Sequence, residues 1–172
     1  PDGYTMLLTA NATHAANPHL FKKMPFDPVK DFTPVTTLVS LGFILVVDPA
    51  AVPVNSVAEL TQYTKARPGK LFYASGNATG RIAMEMYQTL AGVSVVHIPY
   101  KATPTAVADL IAGRVQLMFI DATFGLAQVR SGKLRALAVS TRNRISSAPN
   151  IPTMAEAGIA GYEIAAWFAL FL

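Results

Sequence analysis

With 172 residues, 52% of them hydrophobic and 14% charged, the chain carries enough apolar material for one large or two small folded domains, and it is not disordered. Its 14 Lys and Arg against 10 Asp and Glu leave a net charge of +4, scattered singly apart from Lys22-Lys23. That pattern excludes a nucleic-acid-binding stripe and gives a small acidic ligand a mildly favourable field. The absence of cysteine rules out disulfides and thiolate metal sites, and the longest apolar runs, around Gly42 to Val47 and Ile164 to Leu172, are too short to span a bilayer.

In chain order, strands are expected at Tyr4–Thr9, Phe43–Val47, Leu71–Ala74, Val95–Ile98, Val115–Ile120 and Leu134–Val139. Most are continuous apolar runs without alternation, the pattern of strands covered on both faces. The Pro- and charge-rich segment Phe21–Thr37 reads as a long surface connection that separates two lobes. Ser56-Val57-Ala58-Glu59 is a capping box, and its helix stops before Pro68-Gly69. Thr79 is expected to cap a helix burying Ala83, Met86, Tyr87 and Leu90 and ending at Gly92. Thr103-Pro104 opens another that buries Val107, Leu110 and Ile111 before Gly113. A short helix follows near Phe124–Arg130, and Thr153-Met154-Ala155-Glu156 is a further capping box ending at Gly158. Strand and helix thus alternate about four times, implying an α/β fold with a parallel sheet whose ligands bind at the carboxyl ends of strands.

Two corners repeat a triplet: Asn11-Ala12-Thr13 and Asn77-Ala78-Thr79 each follow a strand and precede a helix. Asn and Thr there cap the first turn, or the open N–H groups are kept for an anion; sequence alone leaves both readings standing. The stretch Ser75-Gly76-Asn77-Ala78-Thr79-Gly80-Arg81 lacks the Gly-Lys-Ser/Thr of a phosphate loop and does not fit Gly-x-Ser-x-Gly. Asp121 ends an apolar strand, as a helix cap or a pocket residue. Arg81 sits one turn into its helix, where a cation opposes the dipole, so a ligand carboxylate is one explanation for it. His14, His19 and His97 lack metal-ligand spacing, and a Ser75–His97–Asp121 triad has no motif behind it.

Several stretches together, among them "PDGYTMLLTANATHAANPHLFKKMPFDPVKDFTPVT", "KARPGKLFYASGN", "VVHIPYKATPTAVADLIAGRVQLMF", "GKLRALAVS" and "PNIPTMAEAGIAGYE", closely resemble the solute receptors of tripartite tricarboxylate transporters, the Bug-type periplasmic binding proteins. The resemblance implies a periplasmic-binding-protein-like (type II, Venus-flytrap) α/β fold with parallel-dominated sheets, here one complete lobe plus part of the other. Residues 1–44 would belong to lobe 1, 45–160 to lobe 2, and 161–172 to a strand returning to lobe 1. It further implies a periplasmic receptor that captures a small organic anion, a carboxylate or dicarboxylate, between its lobes and delivers it to membrane permease subunits, with no catalysis, cofactor or metal.

By match to the family pattern, the ligand-binding residues are Thr9, Asn11 and Thr13 from one corner and Ser75, Gly76, Asn77, Thr79 and Gly80 from the other, with Arg81 and Asp121 beside them. The second corner departs from the family's usual Gly-Asn-Gly-Thr or Gly-Asn-Gly-Ser, being one residue shorter and carrying Arg81. The family's N-terminal Gly-rich loop and C-terminal helical segment are not in the sequence, so the chain is expected to be a piece of a longer protein. Its edges at Tyr4–Thr9 and Ile164–Leu172 are then expected to favour self-association. The effector domain of a transcription regulator, which shares the two-lobed architecture, is the alternative.

Overall fold

The computed structural model describes residues 3–20 and 22–172. Pro1 and Asp2 of the Pro-Asp-Gly-Tyr-Thr motif, and Phe21 at the start of the expected surface connection, lie outside the described residues. The chain divides into two compact units, one of residues 1–41 and 166–172 and one of residues 42–165.

The first unit holds β1 (Leu7–Ala10), a π-helical turn (Ala12–Ala16), the short helix α1 (Asn17–Leu20), the first half of β2 (Pro34–Val47) and most of β7 (Ala165–Phe171). β1 pairs antiparallel with β7, from Leu7 opposite Phe171 to Ala10 opposite Phe168. Thr33 and Leu172 exchange both backbone hydrogen bonds, at 2.8 and 2.9 Å. The two segments expected to seek a second copy pair with each other, and β1 ends the strand order with β7 as its one neighbour among the described strands. The expected connection Phe21–Thr37 is likewise shorter than its composition suggests, because β2 already starts at Pro34. Within this unit the His14 ring stacks flat on Phe171, 4.0 Å between centroids, and meets Phe32 edge-on at 5.1 Å.

On entering the second unit β2 becomes fully buried, and Phe43–Val47 form an interior strand of its sheet. Around it lie α2 (Val57–Lys65), β3 (Phe72–Ser75), α3 (Ala78–Ala91), β4 (Val96–Pro99), α4 (Thr103–Ile111), β5 (Leu117–Asp121), α5 (Ala122–Arg130) and β6 (Arg135–Val139). β3 runs parallel to β4 and to β5, whereas β2 is antiparallel to both β5 and β6. Four strands thus share one direction and β2 opposes them, so the sheet is mixed where simple alternation implies a parallel one. Alternation fixes the crossovers among β3, β4 and β5 but says nothing of a strand that enters from another unit. One face of this sheet carries a core cluster in which Ile44, Val46, Met118 and Ile120 pack against Val107 and Leu110 of α4 and Leu126 of α5.

Several helix signals resolve differently from what the sequence suggests. Asn77, not Thr79, caps α3 by accepting from the Gly80 N–H at 2.8 Å, while Thr79 lies inside the first turn. The buried face of α3 carries Ala83, Met84 and Tyr87; Leu90 is exposed because the helix turns its Met84 side to the sheet. α4 is preceded by Ala102 and has no side-chain cap, since Thr103 is already helical, and Ile111 points outward. Thr153 and Glu156 do exchange the two bonds of a capping box, at 2.8 and 3.0 Å, yet only turns follow. The early Gly158, at φ +98°, ends the segment before a helix can propagate.

Candidate functional site

The parallel pairing of β3 with β5 puts the carboxyl ends of both strands at one end of the sheet. Tyr73 faces Leu117 and Ala74 faces Met118, and Asp121 is the last residue of β5. Here β3 stops at Ser75 and the chain turns into α3. Gly76 is needed at this turn for space: a Cβ would fall 2.4 Å from both the Cα and the N of Thr103 and 2.8 Å from the carbonyl carbon of Ala102. The turn therefore lies directly on the start of α4, and the N-termini of α3 and α4 converge. Asn77 spans the junction with an Nδ2 to Thr103 Oγ1 bond of 3.4 Å. Gly80 presses α3 onto β5 in the same way, a Cβ there falling 2.8 Å from the Phe119 carbonyl oxygen. At both glycines the close approach is to the protein's own backbone.

Capping does not exhaust the donors. The Asn77 side chain satisfies only Gly80, and Arg81 N–H bonds the Asn77 carbonyl at 3.3 Å. Among the described residues no acceptor is given to the amides of Gly76, Asn77, Ala78 and Thr79. Thr79 is only 8% exposed, and its hydroxyl makes no bond back to the preceding turn, unlike those of Thr61, Thr64 and Thr89. Four open N–H groups and a sheltered hydroxyl at a helix N-terminus form a concentration of neutral donors suited to an anion.

Asp121 takes the part that capping assigns it. Its Oδ1 accepts from the Phe124 N–H at 2.9 Å and from the Thr123 hydroxyl at 2.6 Å, holding the start of α5. β3 lies between the strand of Asp121 and that of His97, and no bond joins the two, so Ser75, His97 and Asp121 do not form a triad. Ser75 and His97 do meet, with Oγ 2.7 Å from Nε2, and the His97 ring stacks on Tyr73 at 4.8 Å. The Tyr73 hydroxyl donates to Glu85 on α3. Arg81, exposed one turn before Glu85, acts with its charge on both Tyr73 and His97. Burial foremost, and then Arg81, hold the His97 imidazole below its usual basicity, with Glu85 opposing. This His97 contact and the uncapped start of α4 escape sequence reading, because they depend on which strands pair and not on local spacing.

In the first unit Thr9, near the end of β1, bonds Thr13 through their hydroxyls at 2.6 Å, across the corner that holds Asn11. The Asn11 side chain has no hydrogen bond with another described residue. Two hollows are lined wholly by this unit, one of about 430 Å³ beside Pro34, Thr36, Trp167 and Phe171 and one of about 570 Å³ beside Lys22, Pro25 and Asp31. Neither is lined by a residue of the two corners.

The family model described as the tripartite tricarboxylate transporter family receptor matches residues 1–172. This chain belongs to that receptor family. A curated relative, protein BugT of Bordetella pertussis, is 35% identical over 98% of this chain and 52% of its own length. Among solved structures, R. palustris Rpa4515 with adipate is 37% identical with a TM-score of 0.89, covered to 99% here and 57% there. MatC from Rhodopseudomonas palustris with bound malate is 28% identical with a TM-score of 0.85, covered to 99% and 58%. The chain spans about half the length of the curated relative and little more of the solved structures. The receptor family thus supplies the frame for this mixed-sheet α/β fold.

Proposed function

We propose that the chain is part of a periplasmic solute receptor that takes up a small organic anion, a carboxylate or dicarboxylate, and presents it to the permease subunits of a tripartite transporter. Residues 42–165 correspond in this reading to the second lobe, and residues 1–41 with 166–172 to part of the first. The observation that carries the reading is the unclaimed run of amides from Gly76 to Thr79, with the hydroxyl of the largely buried Thr79 beside it. A helix N-terminus offers the positive end of its dipole there, and hydrogen bonds to a charged group contribute about 1.5–3 kcal/mol each when desolvated. The relatives with adipate and with malate support a carboxylate as the anion.

The residues assigned to the anion in the second unit are Ser75, Gly76, Asn77, Thr79 and Gly80. Gly76 and Gly80 act by letting the backbone lie where its amides stay open. Thr9, Asn11 and Thr13 offer a second group of neutral donors at the corner of the first unit. Arg81 attracts the anion from the flank, and Asp121 shapes the rim as the cap of α5. Binding, orientation and release are the whole activity; no bond is made or broken.

The experiment is a titration with adipate, malate and aromatic monocarboxylates, followed by amide chemical shifts and thermal stability. A ligand at 100 times its dissociation constant stabilises by about 2.7 kcal/mol. Shifts concentrated at Gly76–Gly80 support the reading. Saturable binding that leaves these amides unmoved overturns it.

A further inference from the structure

Ser75 ends β3, is 5% exposed, and has its hydroxyl bonded to His97 Nε2 at 2.7 Å. A hydroxyl has one hydrogen to give. If Ser75 gives it to Nε2, the oxygen offers only lone pairs to the neighbouring helix start, and an anion there is repelled. If Nε2–H donates to the oxygen, the hydrogen is released for the anion. Ser75 lies two residues beyond Tyr73, on the same face of the sheet, and Tyr73 reaches Glu85 of α3 on that face. The Ser75 hydroxyl is therefore under the first turns of α3, beside the open amides.

We propose that His97 is a positioning residue for the anion site: its Nε2–H donates to Ser75 Oγ, freeing the Ser75 hydroxyl hydrogen for a carboxylate at the Gly76–Thr79 amides, so that anion binding draws a proton onto the His97 ring. The proposal rests on the receptor reading given above. His97 pairs with Tyr73 across the β3–β4 ladder and is held flat against its ring, which fixes the direction of Nε2. The Tyr73 hydrogen is committed to Glu85 and does not compete for Ser75. Among the described residues no group accepts from or donates to Nδ1, so nothing in the protein enforces the opposite tautomer.

The charged and titratable groups facing the ring are Tyr73 of β3, with Arg81 and Glu85 of α3. Burial and Arg81 keep the empty-site imidazole below its ordinary value of 6.5, and Glu85 acts the other way. A bound carboxylate adds negative charge at Ser75 and so favours the imidazolium. By linkage, affinity rises as pH falls through the interval between the complexed and the empty-site His97 pKa, and is flat on either side.

Imidazole nitrogen shifts of the labelled chain at pH 8 read the tautomer directly. A protonated Nε2 with a bare Nδ1 is expected; a bare Nε2 overturns the proposal whether or not a ligand is present. Titration with adipate should then be about threefold tighter, or more, at pH 6 than at pH 8. His97→Gln, which keeps a donor but cannot titrate, should lose this slope while binding more tightly than His97→Leu. A slope that survives in His97→Gln, or none in the wild type, overturns proton uptake. Failure of adipate and malate to bind at either pH removes the receptor reading and proton uptake with it, while the tautomer still tests the Ser75–His97 bond.

Discussion

Replacing Gly76 with alanine tests the convergence of the two helix starts. The backbone of Gly76 does not have a positive φ, so alanine meets no torsional penalty and the effect is one of space. The new Cβ would lie 2.4 Å from the Thr103 Cα and N and must retreat by about 1 Å to reach van der Waals contact. Its neighbours are backbone atoms, which cannot swing aside as a side-chain end can. Nor can α4 slide, because Ala106, Val107 and Leu110 are buried in the core at 0–3% exposure.

The turn itself must therefore move, at an overpacking cost of about 1–3 kcal/mol, and the Asn77 bonds move with it. For a chain of this size that corresponds to a fall in Tm of roughly 2–12 °C. Gly132→Ala is the control: its φ is +73° and nothing lies within 4 Å, so it loses stability through torsion alone and leaves the anion site in place. Thermal melts paired with adipate titrations separate the two. A Gly76→Ala protein with wild-type Tm and wild-type affinity would show that α3 and α4 do not meet at this residue.

Three further outcomes follow from named contacts. Ser140→Ala should cost about 1–3 kcal/mol in urea unfolding, because the fully buried Ser140 hydroxyl accepts from the Phe43 N–H and donates to the Ile164 carbonyl, and alanine leaves both unpaired. Asn77→Asp keeps the cap on Gly80 but sets a negative charge at the amides, so stability should hold while carboxylate affinity falls at least about fivefold; unchanged affinity in calorimetry would reduce this corner to a cap. His14 has both ring nitrogens buried without partners, and burial holds its pKa below 6.5, so stability present above that pH should fall as pH drops from 6.5 toward the folded-state value; a thermal-shift profile of His14→Phe that declines as steeply as the wild type would count against it.

The second unit is legible wherever burial is continuous along the chain. Phe43–Val47 reads as a doubly covered strand and is so, Val115–Ile120 does so from Leu117 onward, and Gly92 at φ +62° ends α3 where the sequence places a left-handed residue. What escapes depends on partners distant in sequence. Nothing local tells that β2 opposes its neighbours, that β1 finds β7, or that His97 comes to rest on Ser75, which is 22 residues away. The choice of Asn77 over Thr79 as the cap is a different case, since both are good capping types at the start of the same helix. Asn77 has the extended backbone of a cap and accepts from the Gly80 N–H, whereas Thr79 is already helical.

The two corners answer each other more fully than the shared triplet suggests. Thr9-Ala10-Asn11-Ala12-Thr13 and Ser75-Gly76-Asn77-Ala78-Thr79 match at every position in size and chemistry, with a hydroxyl at each end four residues apart. In the first, the end hydroxyls bond each other at 2.6 Å and the corner closes on itself. In the second, His97 occupies the Ser75 hydroxyl, and the Thr79 hydroxyl is left with the open amides. The difference lies outside both pentapeptides, on β4. Removing the imidazole with His97→Leu should then let Ser75 Oγ turn to Thr79 and reproduce the closed arrangement of the first corner. A crystal structure of that variant decides the matter: a Ser75–Thr79 bond near 2.6 Å, like that of Thr9 and Thr13, is expected, whereas an unmoved Ser75 would mean that the strand end and not His97 sets its direction.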